Sequence, residues 1–199
     1  MGAAGDMLMA ALYELCSQAD RAKFLADMNA LLPGVEVRPQ AARRQGIAGT
    51  HMSVLVHGRE EGEPHGHDHD HHHGHEHLHG HEHDHDHGHS HTHQHRSLAD
   101  VLAVIDGFSL PAEIRERAKA VYALIAQAES KAHGVAVGEV HFHEVGALDA
   151  VADVTGVCYL VHLLAPDEVA CSPVAVGSGT VRTAHGLLPV PAPATAHLL

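Results

Sequence analysis

HFHEVGALDAVADVTGVCYLVHLLA, residues His141 to Ala165, changes period part-way along. Polar and apolar residues alternate at first, which spells a short strand, and Gly146 marks a bend. From Ala147 the apolar positions Val151, Val154, Val157, Leu160 and Val161 recur at helical spacing and predict one inward-facing stripe. A strand that turns into an apolar helix implies a core shared by helices and sheet. The chain of 199 residues has no Trp, three Phe and three Tyr. Its interior must therefore be filled by small aliphatic side chains, which suits a mixed fold better than a β-sandwich.

The flanking sequence agrees. GAAGDMLMAAL, from Gly2, leads straight into a helical pattern, with Asp6 where an N-cap or first-turn acid belongs. A second helix is expected over 19–32, stopped by Pro33 and Gly34. VEVRPQ and RRQGIAGTHMSVLVHG read as strands, with bends at Gly46 and Gly49. Ser97, with Asp100 three residues on, predicts a helix start running through Ile105. A longer helix follows from Pro111, with Ile114, Ala118, Val121, Ile125 and Ala128 on one face and Gly134 as its stop. VACSPVAVGSG, from Val169, reads as a strand and glycine turn, followed by a Pro-rich extended run and a new helix start. The predicted class is α/β (α+β): a small sheet packed by several helices, with a disordered His-rich insertion loop.

That loop is the most conspicuous segment. His65 to His95 holds seventeen histidines in thirty-one residues, spaced mainly by Asp, Glu and Gly. With Leu78 as almost its only apolar side chain, it cannot offset the entropy of ordering itself by burial. Residues 58–96 are expected to be an insertion into one domain formed by 1–57 and 97–199. Imidazoles alternating with carboxylates suit Ni, Zn, Cu or Co, and His67, His69, His71, His72, His73, His75, His77, His81, His83, His85 and His87 are the candidate ligands. The repeat does not choose the metal, and a tolerated low-complexity expansion remains the alternative reading.

The formal charge of −13 divides almost evenly between this tract and the rest, and neither part resembles a nucleic-acid binder. Cys16, Cys158 and Cys171 are isolated, which excludes a zinc ribbon and argues for a reducing, cytoplasmic setting. No apolar run approaches membrane-spanning length.

Two further constellations carry chemistry. His141 and His143, two apart on a strand, project to one side; Glu144 follows at the bend, and Asp149 and Asp153 share a helix face. The group reads as a divalent-metal or acid/base site, or as two helix-capping acids beside a packed histidine. In VAVGSGTVRTAHGLLPVPAPAT, Gly177 and Gly179 free backbone amides for an anionic guest, Arg182 offers a bidentate fork, and His185 lies in the same loop. Ordinary turn chemistry explains that block equally well.

Taken together, GAAGDMLMAAL, HFHEVGALDAVADVTG and GSGTVRTAHGLLPVPAPAT resemble the LarC family, the pyridinium-3,5-bisthiocarboxylic acid mononucleotide nickel insertion proteins. The resemblance spans the whole chain but only about the N-terminal half of a family member. It implies a biosynthetic nickel insertase, a CTP-dependent cyclometallase of the lyase class, which forms carbon–nickel and sulfur–nickel bonds in the cofactor of lactate racemase-like enzymes. CTP, with Mn(II) or Mg(II), is expected only with the missing C-terminal half. The resemblance also implies that the first strand is missing at Met1 and that more protein normally follows Leu199, in the same chain or as a separate C-terminal polypeptide.

By position it assigns nickel or activator ligation to His141, His143 and Glu144, supporting carboxylates to Asp6 and Asp149, and contact with the substrate phosphate to Arg182 and the Gly177–Gly179 turn, with His185 beside them. Catalytic roles fall on His143, Glu144, Asp149 and Asp6. The expected partners are nickel and a small-molecule mononucleotide, with homo-oligomerisation and no nucleic acid or membrane. Two rival functions are a nickel or zinc store acting through the His tract, and a metal-dependent hydrolase using His141, His143 and Asp149.

Overall fold

The computed structural model describes residues 4–60, 96–142, 145–183 and 186–199. Of the expected disordered loop, 58–96, residues 61–95 lie outside them; its two ends are described, and Arg59–Glu60 and Arg96 are strand residues because each pairs with a neighbouring strand. The class is α+β, and the described residues form small antiparallel sheets among six α-helices.

Helix α1 (Gly5–Leu15) is followed at once by α2 (Gln18–Leu31), which Ser17 caps by accepting the Asp20 N–H. Strands β1 (Val35–Arg44) and β2 (Ile47–Val56) then make one long antiparallel hairpin. Gln45 and Gly46 turn it with φ of 49° and 86°, the positive pair a two-residue hairpin loop requires. Gly49 is no bend: it lies inside β2 opposite Ala42, because the two-residue turn has already reversed the chain. Pro39 is tolerated because β1 is an edge strand. The register sets Val37 against Val54 and Pro39 against Met52, so Val35, Val37, Met52 and Val54 all reach the core.

Strand β3 (Arg59–Glu60) pairs with the end of β2, just before residue 61. The chain is described again from β4 (Arg96–Ser97), which pairs with β5 (His141–Phe142). Ser97 and Asp100 form the expected capping box of α3 (Leu98–Asp106). Helix α4 (Ala112–His133) ends at Gly134, whose φ of 67° is the left-handed cap anticipated there. Its buried line is Ile114, Ala118, Tyr122 and Ala126; Val121 and Ile125 are only half-buried beside it.

Helix α5 (Leu148–Leu164) is the centre of the body, packed by α1, α2, α4 and β2. Its inward face differs from the expected stripe. Val151 and Leu160 are buried, but Val154, Val157 and Val161 are half-buried, and Ala152, Thr155, Cys158 and Tyr159 lie inside instead. The reason is crowding by neighbours on several sides. A Cβ on Gly156 would stand 2.8 Å from Met9 Sδ and 3.4 Å from Met28 Cε, so this glycine lets α1 and α2 press onto the helix. Across α2, Lys23 and the Tyr159 hydroxyl both donate to Asp27. This bond holds the Asp27 carboxyl below its ordinary range and tethers α2 to α5.

The C-terminal segment corrects a second expectation. Residues 169–179 form no strand; the ladder is a hairpin of β6 (Thr180–Thr183) and β7 (Gly186–Pro189), before α6 (Pro193–Leu198). Among the described residues no helix is long and apolar enough to cross a membrane.

Candidate functional site

Helix α1 begins at Gly5 behind Ala4, which has no side chain with which to cap it. The acceptor comes from elsewhere: the Asp6 N–H donates to the carboxylate of Asp153 on α5. A Cβ on Gly5 would stand 2.7 Å from both Cβ and Oδ2 of Asp153, so only glycine permits this approach. The contact brings the first and second sequence blocks together at one point.

Around it lies a cavity of about 270 Å³ lined by Asp6, His51, Met52, Val54, Glu60, Asp149 and Asp153. Asp149 accepts the Ala150 N–H at 2.7 Å through Oδ1. Asp153 Oδ1 is buried and has no hydrogen-bond partner among the described residues. Burial, and then the charges of Asp6 and Asp149, push the Asp153 carboxyl up to about 7, against the opposing pull of the Asp6 N–H. Burial, and then the charges of Asp149 and Asp153, raise the Tyr122 hydroxyl, which donates to Val145 O at 3.0 Å, while Arg96 pulls the other way. Arg96 also donates to Gly146 O at 2.7 Å, fixing the entry to α5.

From the sheet side, His51 Nε2 stands 4.0 Å from Asp6 Oδ2, and its Nδ1 lies 3.3 Å from the hydroxyl of the buried Ser53. The cavity is thus strongly acidic with one imidazole at its edge. Its electrostatics favour a cation. Among the described residues no three His, Cys, Asp or Glu side chains stand close enough to form a finished ligand set. The donors instead ring a space wider than one ion needs. The other cavity of note, along the hairpin between Glu14 and Thr50, has Glu14 as its only ionisable side chain.

Of the residues expected from sequence, Asp6 and Asp149 line the acidic cavity. His141 is exposed on β5 beside Ser97, near enough to Asp100 to help hold that carboxyl low, and does not line the cavity. Gly177 and Gly179, with φ of 74° and 99°, and Arg182 on β6 are exposed and do not line it either. His143, Glu144, His185 and the His tract lie outside the described residues. The capping alternative holds in part, since Asp149 caps its own helix and Asp153 caps α1. Capping occupies one oxygen of each and does not remove them from the site. Sequence reasoning left out His51 and Glu60, and noticed the spacing of Asp153 without placing it in the site. Only the fold, which lays β2 against α1 and α5 and pairs β3 with the end of β2, reveals them.

The nickel insertion protein family matches over residues 1–199, and the chain belongs to this family. It is 37% identical over 199 residues to a Geotalea daltonii protein named for nickel insertion, and 36% over 200 residues to one from Myxococcus xanthus; each match covers all of this chain and 43% of the relative. A pyridinium-3,5-bisthiocarboxylic acid mononucleotide nickel insertion protein of Staphylococcus saprophyticus is 45% identical over 104 residues, covering 52% of this chain and 27% of that protein. The chain therefore spans less than half the length of these relatives. No solved structure matches.

Proposed function

We propose that this chain is the nickel-receiving part of an enzyme that inserts nickel into pyridinium-3,5-bisthiocarboxylic acid mononucleotide. The observation that carries the reading is the acidic cavity. Four carboxylates and one imidazole line it, with too little positive charge among them for Asp153 to ionise at its ordinary pH. A divalent ion supplies the missing charge, and imidazole with carboxylate is a donor set nickel accepts. The width of the cavity leaves room for part of a small organic guest beside the ion.

The core that joins Met9, Met52, Ile105 and Leu160 supports treating 1–57 and 97–199 as one domain into which 58–96 is inserted. Any requirement for CTP with Mn(II) or Mg(II), and the lyase chemistry as a whole, is assigned to the complete family-length protein. Arg182 and the Gly177–Gly179 turn are retained as a phosphate contact, and His141, His143 and Glu144 as further ligands.

The test is the melting temperature of the chain with and without Ni(II), compared with His51→Ala and Asp149→Asn. The His tract is common to all three and cancels in the comparison. At 100 times the dissociation constant a folded-state site contributes about 2.7 kcal/mol, or roughly 5–10 °C in a chain of this size. Both variants should lose that increment. An equal increment in all three would refute the cavity and favour the rival, a nickel or zinc store built on the tract. Deleting residues 64–95 separates the two: under the store reading all nickel-dependent effects disappear, and under the present one the cavity increment remains.

A further inference from the structure

We infer that Ser53 is the positioning residue that presents His51 to the incoming ion, an inference that rests on reading the cavity as the nickel-receiving site. Ser53 is 2% exposed, and it and Thr155 are the buried polar residues of the described core. A hydroxyl taken out of water without a partner costs about 1–3 kcal/mol. The partner here is His51 Nδ1 at 3.3 Å, two residues earlier on β2 and therefore projecting to the same side.

With Nδ1 beside the buried Ser53 hydroxyl, Nε2 stands 4.0 Å from Asp6 Oδ2. That gap is too long for a hydrogen bond. It lies just inside the separation of about 4.2 Å between two donors on opposite sides of one ion at about 2.1 Å each, so a small inward turn of either side chain lets both reach the same ion. For Nε2 to give its lone pair to nickel, the ring proton must sit on Nδ1, and that proton needs an acceptor. Ser53 Oγ, which can accept as well as donate, is in place to take that Nδ1–H hydrogen bond once nickel holds Nε2, and it stops the half-exposed ring from turning away.

The experiment uses the full chain, Ni(II) alone as the probe, and the variants Ser53→Ala and His51→Ala. Two quantities are read: nickel affinity from the melting increment, and the solvent-exchangeable, hyperfine-shifted proton of a nickel-bound imidazole in the proton NMR spectrum. The His51 signal is the one absent from His51→Ala. Ser53→Ala is expected to bind nickel 10- to 100-fold more weakly and to lose that signal to exchange with water. A purely structural role predicts otherwise: the metal-free protein melts lower, while affinity and signal stay at parental values, and that result overturns the inference while leaving the cavity reading intact. If His51→Ala itself keeps the parental affinity, both the cavity reading and the inference fall.

Discussion

Residues 4–164 and the segment beyond them use similar side chains to different ends. In the first, Met9, Phe24, Ile105, Ile114 and Leu160 are fully buried around α5. In the second, no described residue after Leu160 is buried, although Val169, Val174, Val181 and Leu187 are as apolar as anything in the core. Apolar composition alone therefore does not make a core: α6 lies on α4, yet those apolar residues between α5 and α6 stay at the surface. The same contrast divides the candidate chemistry. Asp6 and Asp149 are held by helix ends that pack on one another and face a shared cavity, whereas Arg182 sits on a hairpin whose ladder is its own and Gly177 and Gly179 lie in the exposed run that leads into it.

The difference can be tested by equal cuts on both sides. Leu160→Ala should cost about 3 kcal/mol, while Leu187→Ala should fall within about 0.5 kcal/mol of the parent, both read as urea midpoints. A large effect at Leu187 would mean that the hairpin carries packing of its own. For the chemistry, Arg182→Ala should keep the full nickel-dependent rise in melting temperature of roughly 5–10 °C that Asp149→Asn loses.

Next in size is a pH effect on the metal-free chain. Asp153 keeps its proton up to about 7 when folded but only to about 3.8 when unfolded. Between those values the folded state holds the extra proton, so stability falls as pH rises through that window. Asp153→Asn, which cannot ionise, should match the parent near pH 4 and exceed it above pH 7. Discounted for the solvent that reaches this half-buried carboxyl, the gain is about 2 kcal/mol. Thermal melts at the two pH values with a chelator present measure it, and a parent as stable at pH 8 as at pH 5 would deny the crowding of the three acids. The smallest effect is expected from Gly5→Ala, where Asp153 must shift. The nickel affinity should drop by about tenfold in titrations, and because Asp153 Cβ cannot swing aside as a carboxylate oxygen can, the metal-free stability should fall by about 1 kcal/mol.

Much of this arrangement was legible in the sequence. Ser97 with Asp100, Gly134, and the Pro33–Gly34 break each act locally, through a cap or a positive φ, and each stands where expected. Local signals failed where neighbours decide. The inward face of α5 follows from α1, α2 and α4 crowding it, not from its own period. Residues 169–179 have strand-like composition but no partner ladder among the described residues. In the site, Asp6 and Asp149 were readable because each sits at a helix start. His51, Ser53 and Glu60 were not, because a strand residue becomes part of a site only through what the sheet is packed against.

The most direct measurement of the central claim is the position of nickel in crystals of the chain, located by anomalous diffraction at the nickel edge. The account predicts a peak inside the acidic cavity, within about 2.1 Å of His51 Nε2 and of a carboxylate oxygen of Asp6 or Asp149. Nickel found elsewhere on the chain, with no peak in that cavity, would contradict it.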